Sequence, residues 1–123
     1  MVLQRDTTVA IWGQALPESI VYLSPSWGNI IKVKSDSNGF WKAFSETTND
    51  QKNHSLQIKS GKDKIFINDI LLGEVWLASG QSNMEMDFDY CCNSTDSAQH
   101  VLSNDIFNNI RMFNVKKRYR LYP

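Results

Sequence analysis

Short β-prone runs, each closed by a turn signal, recur at roughly ten-residue spacing through the first 70 residues, and this rhythm limits the fold more than any other feature. Thr7–Trp12 ends at Gly13, and Ser19–Leu23 ends at Ser24-Pro25, where proline removes a ladder donor. Asn29–Lys34 leads into Asp36-Ser37-Asn38-Gly39, and Phe40–Phe44 follows. Asn-Gly between two such runs predicts a hairpin, because both residues tolerate positive φ. Ser55–Lys59 alternates apolar and polar residues, as a half-buried strand does, then turns at Ser60–Asp63 into Lys64–Asn68. The expectation is a small antiparallel β-sandwich over residues 1–72.

The pattern changes at Gly73. Glu74–Ser79 reads as a strand, Gly80 breaks it, and Met84-Glu85-Met86 resumes with helix-tolerant residues. Asp96–Leu102 reads as a second short helix, with Thr95 or Asp96 as its cap, and Ile110–Val115 as a strand. Strand, helix, helix, strand opens a parallel α/β unit, and two strands cannot complete such a sheet. Residues 73–123 are therefore expected to be an incomplete domain. Ser82 falls between the strand end and the helix start. A serine there exposes its Oγ and sets its backbone N–H at the positive end of the helix dipole. Acyl transfer needs that pairing of nucleophile and oxyanion donor. The competing role is a helix-capping serine.

The string Gly73-Glu74-Val75-Trp76-Leu77-Ala78-Ser79-Gly80-Gln81-Ser82-Asn83-Met84 is not a Gly-x-Ser-x-Gly elbow, because Met84 stands where the second glycine would be. It resembles the first block of the SGNH (GDS-like) hydrolases, and within them the sialate O-acetylesterase family. Met1–Asp6 with Ile11-Trp12-Gly13, Asn38-Gly39-Phe40-Trp41, Ile70–Gly73 and Asn109–Phe113 are similar to further segments of the front part of that family. The resemblance implies an immunoglobulin-like β-sandwich followed by the start of an α/β SGNH-hydrolase domain. It implies Ser82 as nucleophile and backbone oxyanion donor, with Gly80, Gln81 and Asn83 holding the turn. It implies removal of O-acetyl groups from sialic acids or related acetylated sugars, through an acetyl-enzyme and without metal or organic cofactor.

The base of the resembled family is a histidine in an Asp-x-x-His block near the end of its catalytic domain, and its other oxyanion donors come from later blocks. His54 and His100 are the chain's two histidines. His54 is expected at the surface of the β-domain, and His100 follows Asp96 by four positions rather than three, so both read as structural. A serine without a base is a weak nucleophile, and the expectation is an N-terminal portion of an esterase without useful activity by itself. The alternative is a carbohydrate- or protein-binding β-module. Trp12, Trp41 and Trp76 are expected in the core. Trp27, in a loop, is the tryptophan to weigh for stacking on a sugar, against a packing role that its neighbours favour.

Thirteen basic and thirteen acidic side chains in 123 residues, with 41% hydrophobic content, give no general pull toward nucleic acid. The Lys116-Lys117-Arg118-Tyr119-Arg120 run is read as a solvated terminal cluster, and Asp87 and Asp89 show no partner for acid–base work. No apolar run approaches a membrane span, and no signal peptide is visible at Met1–Asp6. Asn53-His54-Ser55 and Asn93-Ser94-Thr95 are glycosylation sequons and favour the secretory pathway, lysosomal or extracellular. The adjacent Cys91 and Cys92 are poorly placed to bridge each other and are free or paired elsewhere; a metal site is not expected.

Overall fold

The computed structural model describes residues 1–80 and 109–115, and among these every regular element is a strand. The chain divides into two compact units, Met1–Leu77 and Ala78–Pro123, whereas the sequence reading divides it after residue 72. The first unit holds β1 (Val2–Gln4), β2 (Thr8–Gln14), β3 (Ile20–Pro25), β4 (Ile31–Lys34), β5 (Phe40–Glu46), β6 (His54–Ser60) and β7 (Asp63–Gly73). Five of them form one sheet in the order β1-β7-β6-β3-β4, and β2 and β5 form a second.

One cluster of side chains joins the two sheets. Trp41 and Ala43 come from β5, Val21 and Leu23 from β3, Leu56 from β6, and Ile70 and Leu72 from β7; Trp27 completes it from the loop after β3. The alternation that puts Trp41, Ala43 and Ser45 inside leaves Phe40, Lys42, Phe44 and Glu46 outside. Each fully buried Val, Leu or Ile contributes about 1.5–3 kcal/mol, so Val21, Leu23 and Ile70 anchor the unit. Gly13 lies opposite Trp41 in the β2–β5 ladder, and a Cβ there would come within 2.8 Å of Trp41 Cζ2. Only glycine leaves that ring its place.

Several expectations need correction. The first residues form β1, which pairs parallel with β7, so the larger sheet is mixed rather than antiparallel throughout. The Asn38-Gly39 turn forms, with Gly39 N–H donating to Asp36 O at 3.0 Å, but it does not pair β4 with β5. β4 pairs with β3 and β5 with β2, because a turn fixes local direction while buried faces choose the partners. The tight hairpin is Ser60–Asp63, joining β6 to β7 with Gly61 at φ 57° in the first loop position, the type II′ pattern. The strand expected at 64–68 runs on to Gly73.

Glu74–Ser79 and Ile110–Val115 carry no strand. Val75, Trp76 and Leu77 are exposed, and β-propensity expresses itself only where a neighbouring strand takes up the ladder. Trp12 and Trp76 are not core residues: they are 72% and 87% exposed. Trp27 is buried at 8%, its Nε1–H donating to Ser45 Oγ at 3.2 Å, which removes it as a stacking platform. His54 is not at the surface but 7% exposed. The expected helices at 84–86 and 96–102, His100, Cys91 and Cys92 lie outside the described residues.

Candidate functional site

The described part of the candidate site is the exit from β7. Gly73 ends that strand opposite Gln4, and its carbonyl accepts the Arg5 N–H at 3.0 Å. Glu74 then turns back onto β1. Its Oε2 accepts from Gln4 Nε2 at 2.9 Å and its Oε1 from Arg5 Nε at 2.8 Å. Gln4 Oε1 in turn accepts the Val75 N–H at 2.8 Å, so one glutamine grips both residues. Arg5 Nη1 donates to Asn49 Oδ1 at 2.8 Å, and Thr47 Oγ1 donates to Gln4 O at 2.7 Å, tying in the segment after β5. The Gln4 hydrogen bond, and then the Arg5 hydrogen bond and charge, hold the Glu74 carboxyl below the usual glutamate range. The segment that runs toward Ser82 therefore starts from a fixed point.

A second concave feature lies along the β2–β5 pair and the turn before β5. Trp12, Gly13, Asp36, Phe40, Trp41 and Lys42 line an open groove, which contains none of the candidate catalytic residues. A third cluster is interior. The His54 ring meets Trp27 edge-on with centroids 5.8 Å apart, and its Nδ1 lies 3.1 Å from Ser26 Oγ. Ser26 Oγ also accepts the Ser55 N–H at 3.0 Å, while His54 Nε2 is buried with no hydrogen-bond partner among the described residues.

With this geometry established, known proteins place the chain. It is 27% identical to sialate O-acetylesterase of Mus musculus over 134 aligned positions, covering 94% of this chain and 23% of the relative. Its fold matches a crystal structure of a carbohydrate acetylesterase from Xanthomonas citri with a TM-score of 0.65 and 33% identity, covering 72% of this chain and 20% of the other. The chain is sialate O-acetylesterase-like. No family model matches it. It spans 23% of the curated relative and 20% of the solved chain, so about a fifth to a quarter of each.

Of the residues expected in the site of this acetylesterase-like chain, Gly80 is described and exposed. Ser82, Gln81, Asn83 and the sequon residue Asn93 lie outside the described residues. Asn53 is exposed just before β6, and its Nδ2 donates to Asp69 Oδ1 at 3.1 Å. No group of His, Cys, Asp and Glu suited to a metal ion occurs among the described residues, and no helix long and apolar enough to cross a membrane is found among them. The sequence reading missed the tether. Gln4, Arg5 and Glu74 belong to segments that carry the resemblance, but nothing in their spacing signals that β1 brings them together. The groove was missed as well, since Trp12 was assigned to the core.

Proposed function

We propose that this chain is part of a serine carbohydrate O-acetylesterase, with Ser82 as its nucleophile. The observation that carries the reading is the likeness to sialate O-acetylesterase across 94% of the chain, which leaves only terminal residues unmatched and so runs across Gly73–Met84. Ser82 Oγ would attack the acetyl carbonyl, its backbone N–H would donate to the tetrahedral oxyanion, and water would release acetate from the acetyl-enzyme. Sialic acids and related acetylated sugars are the proposed substrates. The proposed architecture is an immunoglobulin-like sandwich leading into the first segment of an SGNH domain. Two sheets sharing one core support the sandwich.

The tether gives Glu74 and Val75 a task in this reading: they anchor the start of the nucleophile segment to β1. His54 is committed to Ser26 and Trp27 inside the β-domain, which supports its assignment as structural rather than as the base. The two sequons support a secretory-pathway location, and an endoglycosidase-sensitive mass shift lost in Asn53→Gln and Asn93→Gln would test it.

The catalytic reading is tested by acetate release from a chromogenic acetyl ester, with the 123-residue chain run beside Ser82→Ala. Equal rates are expected, because no base is assigned within these residues. A rate abolished by Ser82→Ala would keep the nucleophile and overturn the inactivity of the chain by itself. Restoration of a Ser82-dependent rate in a longer chain carrying an Asp-x-x-His block would support the whole reading. Its absence there would sink it.

A further inference from the structure

The β2–β5 pair turns one face to the core and the other to solvent, and the solvent face is the unusual one. Trp12 is 72% exposed and Phe40 is 55% exposed, although the next positions inward, Ile11 and Trp41, join the packed cluster. Strand alternation places Trp12, Gln14, Phe40 and Lys42 on that outer face, with Trp12 opposite Lys42 and Gln14 opposite Phe40. A large ring left outside the core contributes little to folding, and exposed aromatic surface of this kind marks sites of interaction.

The lining of the groove narrows the class of ligand. Asp36 and Lys42 line it together with Trp12, Phe40, Gly13 and the largely buried Trp41. Aspartate and lysine are depleted from the buried centres of protein interfaces, so this mixture fits a protein partner poorly. It suits a small ligand with an apolar face and a polar rim, gripped by a few placed polar groups on an aromatic floor. A pyranose ring has that chemistry, with C–H groups on its face and hydroxyls around its edge.

Both polar groups are held in place. Asp36 Oδ1 accepts the Asn38 and Phe40 N–H groups, each at 2.8 Å, and no hydrogen bond among the described residues reaches its Oδ2. That oxygen is free to accept from a hydroxyl. Lys42 Nζ lies 5.2 Å from the centroid of the Phe44 ring, which keeps the ammonium on the same face.

We infer that this groove is a carbohydrate-binding subsite, in which a pyranose ring stacks on Trp12 and Phe40 while Asp36 and Lys42 engage its hydroxyls. The choice of carbohydrate rests on the acetylesterase reading, but the subsite contains no catalytic group and binds without ester hydrolysis.

The test is binding of the fluorescently labelled full chain to an array of neutral and sialylated oligosaccharides, each with and without O-acetyl groups. A set of glycans is bound, and Trp12→Ala weakens binding by about tenfold through the lost ring contact. Trp12→Phe keeps most of the affinity, and Trp76→Ala, also an exposed tryptophan, changes nothing. Far-ultraviolet circular dichroism of each variant confirms the fold. An empty array, binding indifferent to Trp12→Ala, or a change of oligomeric state in Trp12→Ala overturns the inference. Ser82→Ala leaves array binding intact, so Trp12-dependent binding with no acetate release in any longer chain would sink the esterase reading alone. Ser82-dependent acetate release with an empty array would sink the subsite alone.

Discussion

Arg5 and Glu74, 69 positions apart in sequence, close a 2.8 Å ion pair at the end of the β1–β7 ladder. Gln4 reinforces it from the last position of β1, so a parallel pairing of three residues fixes where the chain leaves the β-domain.

That pair makes a pH-dependent contribution with a defined sign. The folded-state pKa of Glu74 is depressed, first by the Gln4 hydrogen bond and then by Arg5. Its contribution is therefore present in full above the ordinary glutamate range and is lost as pH falls through the lowered folded value. Glu74→Gln is expected to lower the urea midpoint slightly at neutral pH, since the pair is half exposed. The gap between wild type and variant should close as pH drops below about 4. A gap that widens on acidification would contradict the assignment.

Gly39 supplies the sharpest local test. Its φ is +86°, and a Cβ built there would clash with Ala15 O, a backbone atom with little room to yield. The contact coincides with Ala15 N–H donating to Gly39 O at 2.8 Å, which joins the end of β2 to the turn before β5. Gly39→Ala is expected to cost about 1–3 kcal/mol of stability from backbone strain, read from denaturant unfolding. Gly61→Ala has φ 57° but open space, and should cost less.

Strand content was legible because it depends on local alternation, as at Ser55–Lys59, and turn content because Asn38-Gly39 and Ser60–Asp63 have their own chemistry. Partner choice was not. β1 has three residues and no alternation to announce it, and its pairing with β7 brings together the two ends of the unit. Facing was illegible wherever apolar residues run consecutively. In Val9-Ala10-Ile11-Trp12 and Phe40-Trp41 both phases look equally apolar, and a one-residue change of phase exchanges inside for outside. Trp12 went out and Trp41 in. His54 was misread because a sequon suggests the surface, while its strand position beside buried Leu56 follows alternation. The Gly73–Met84 string remains the argument for Ser82, and its order of residues, not any contact among the described residues, carries it.

The two tryptophans of the β2–β5 pair should separate cleanly. Trp41 packs in the shared core, so Trp41→Ala is expected to lose about 3–5 kcal/mol. Trp12→Ala removes a solvent-facing ring and should stay within about 0.5 kcal/mol. Gly13→Ala, which pushes against the Trp41 ring at Cζ2 and Cε2, should cost about 1–3 kcal/mol as an overpacking change. Equal losses for Trp12→Ala and Trp41→Ala in urea unfolding would mean that the phase of β2 is wrong.

His54 combines a packed ring with an unsatisfied atom, and the two effects can be separated by substitution. Truncation in His54→Ala removes the edge-on contact with Trp27 and opens a cavity, so a loss of about 2–4 kcal/mol is expected. His54→Phe keeps a ring against Trp27 and deletes Nε2, the buried atom with no partner among the described residues. It also removes the Nδ1 contact with Ser26 Oγ, but that hydroxyl keeps the Ser55 N–H as a donor. Because an orphaned buried polar atom costs about 1–3 kcal/mol, its deletion offsets the lost hydrogen bond, and His54→Phe should lie within about 1 kcal/mol of wild type. Thermal or urea unfolding followed by Trp fluorescence reads both variants. If His54→Phe proved as damaging as His54→Ala, Nε2 would have to be hydrogen-bonded in solution, and the ring's place beside Trp27 would not be what holds it there.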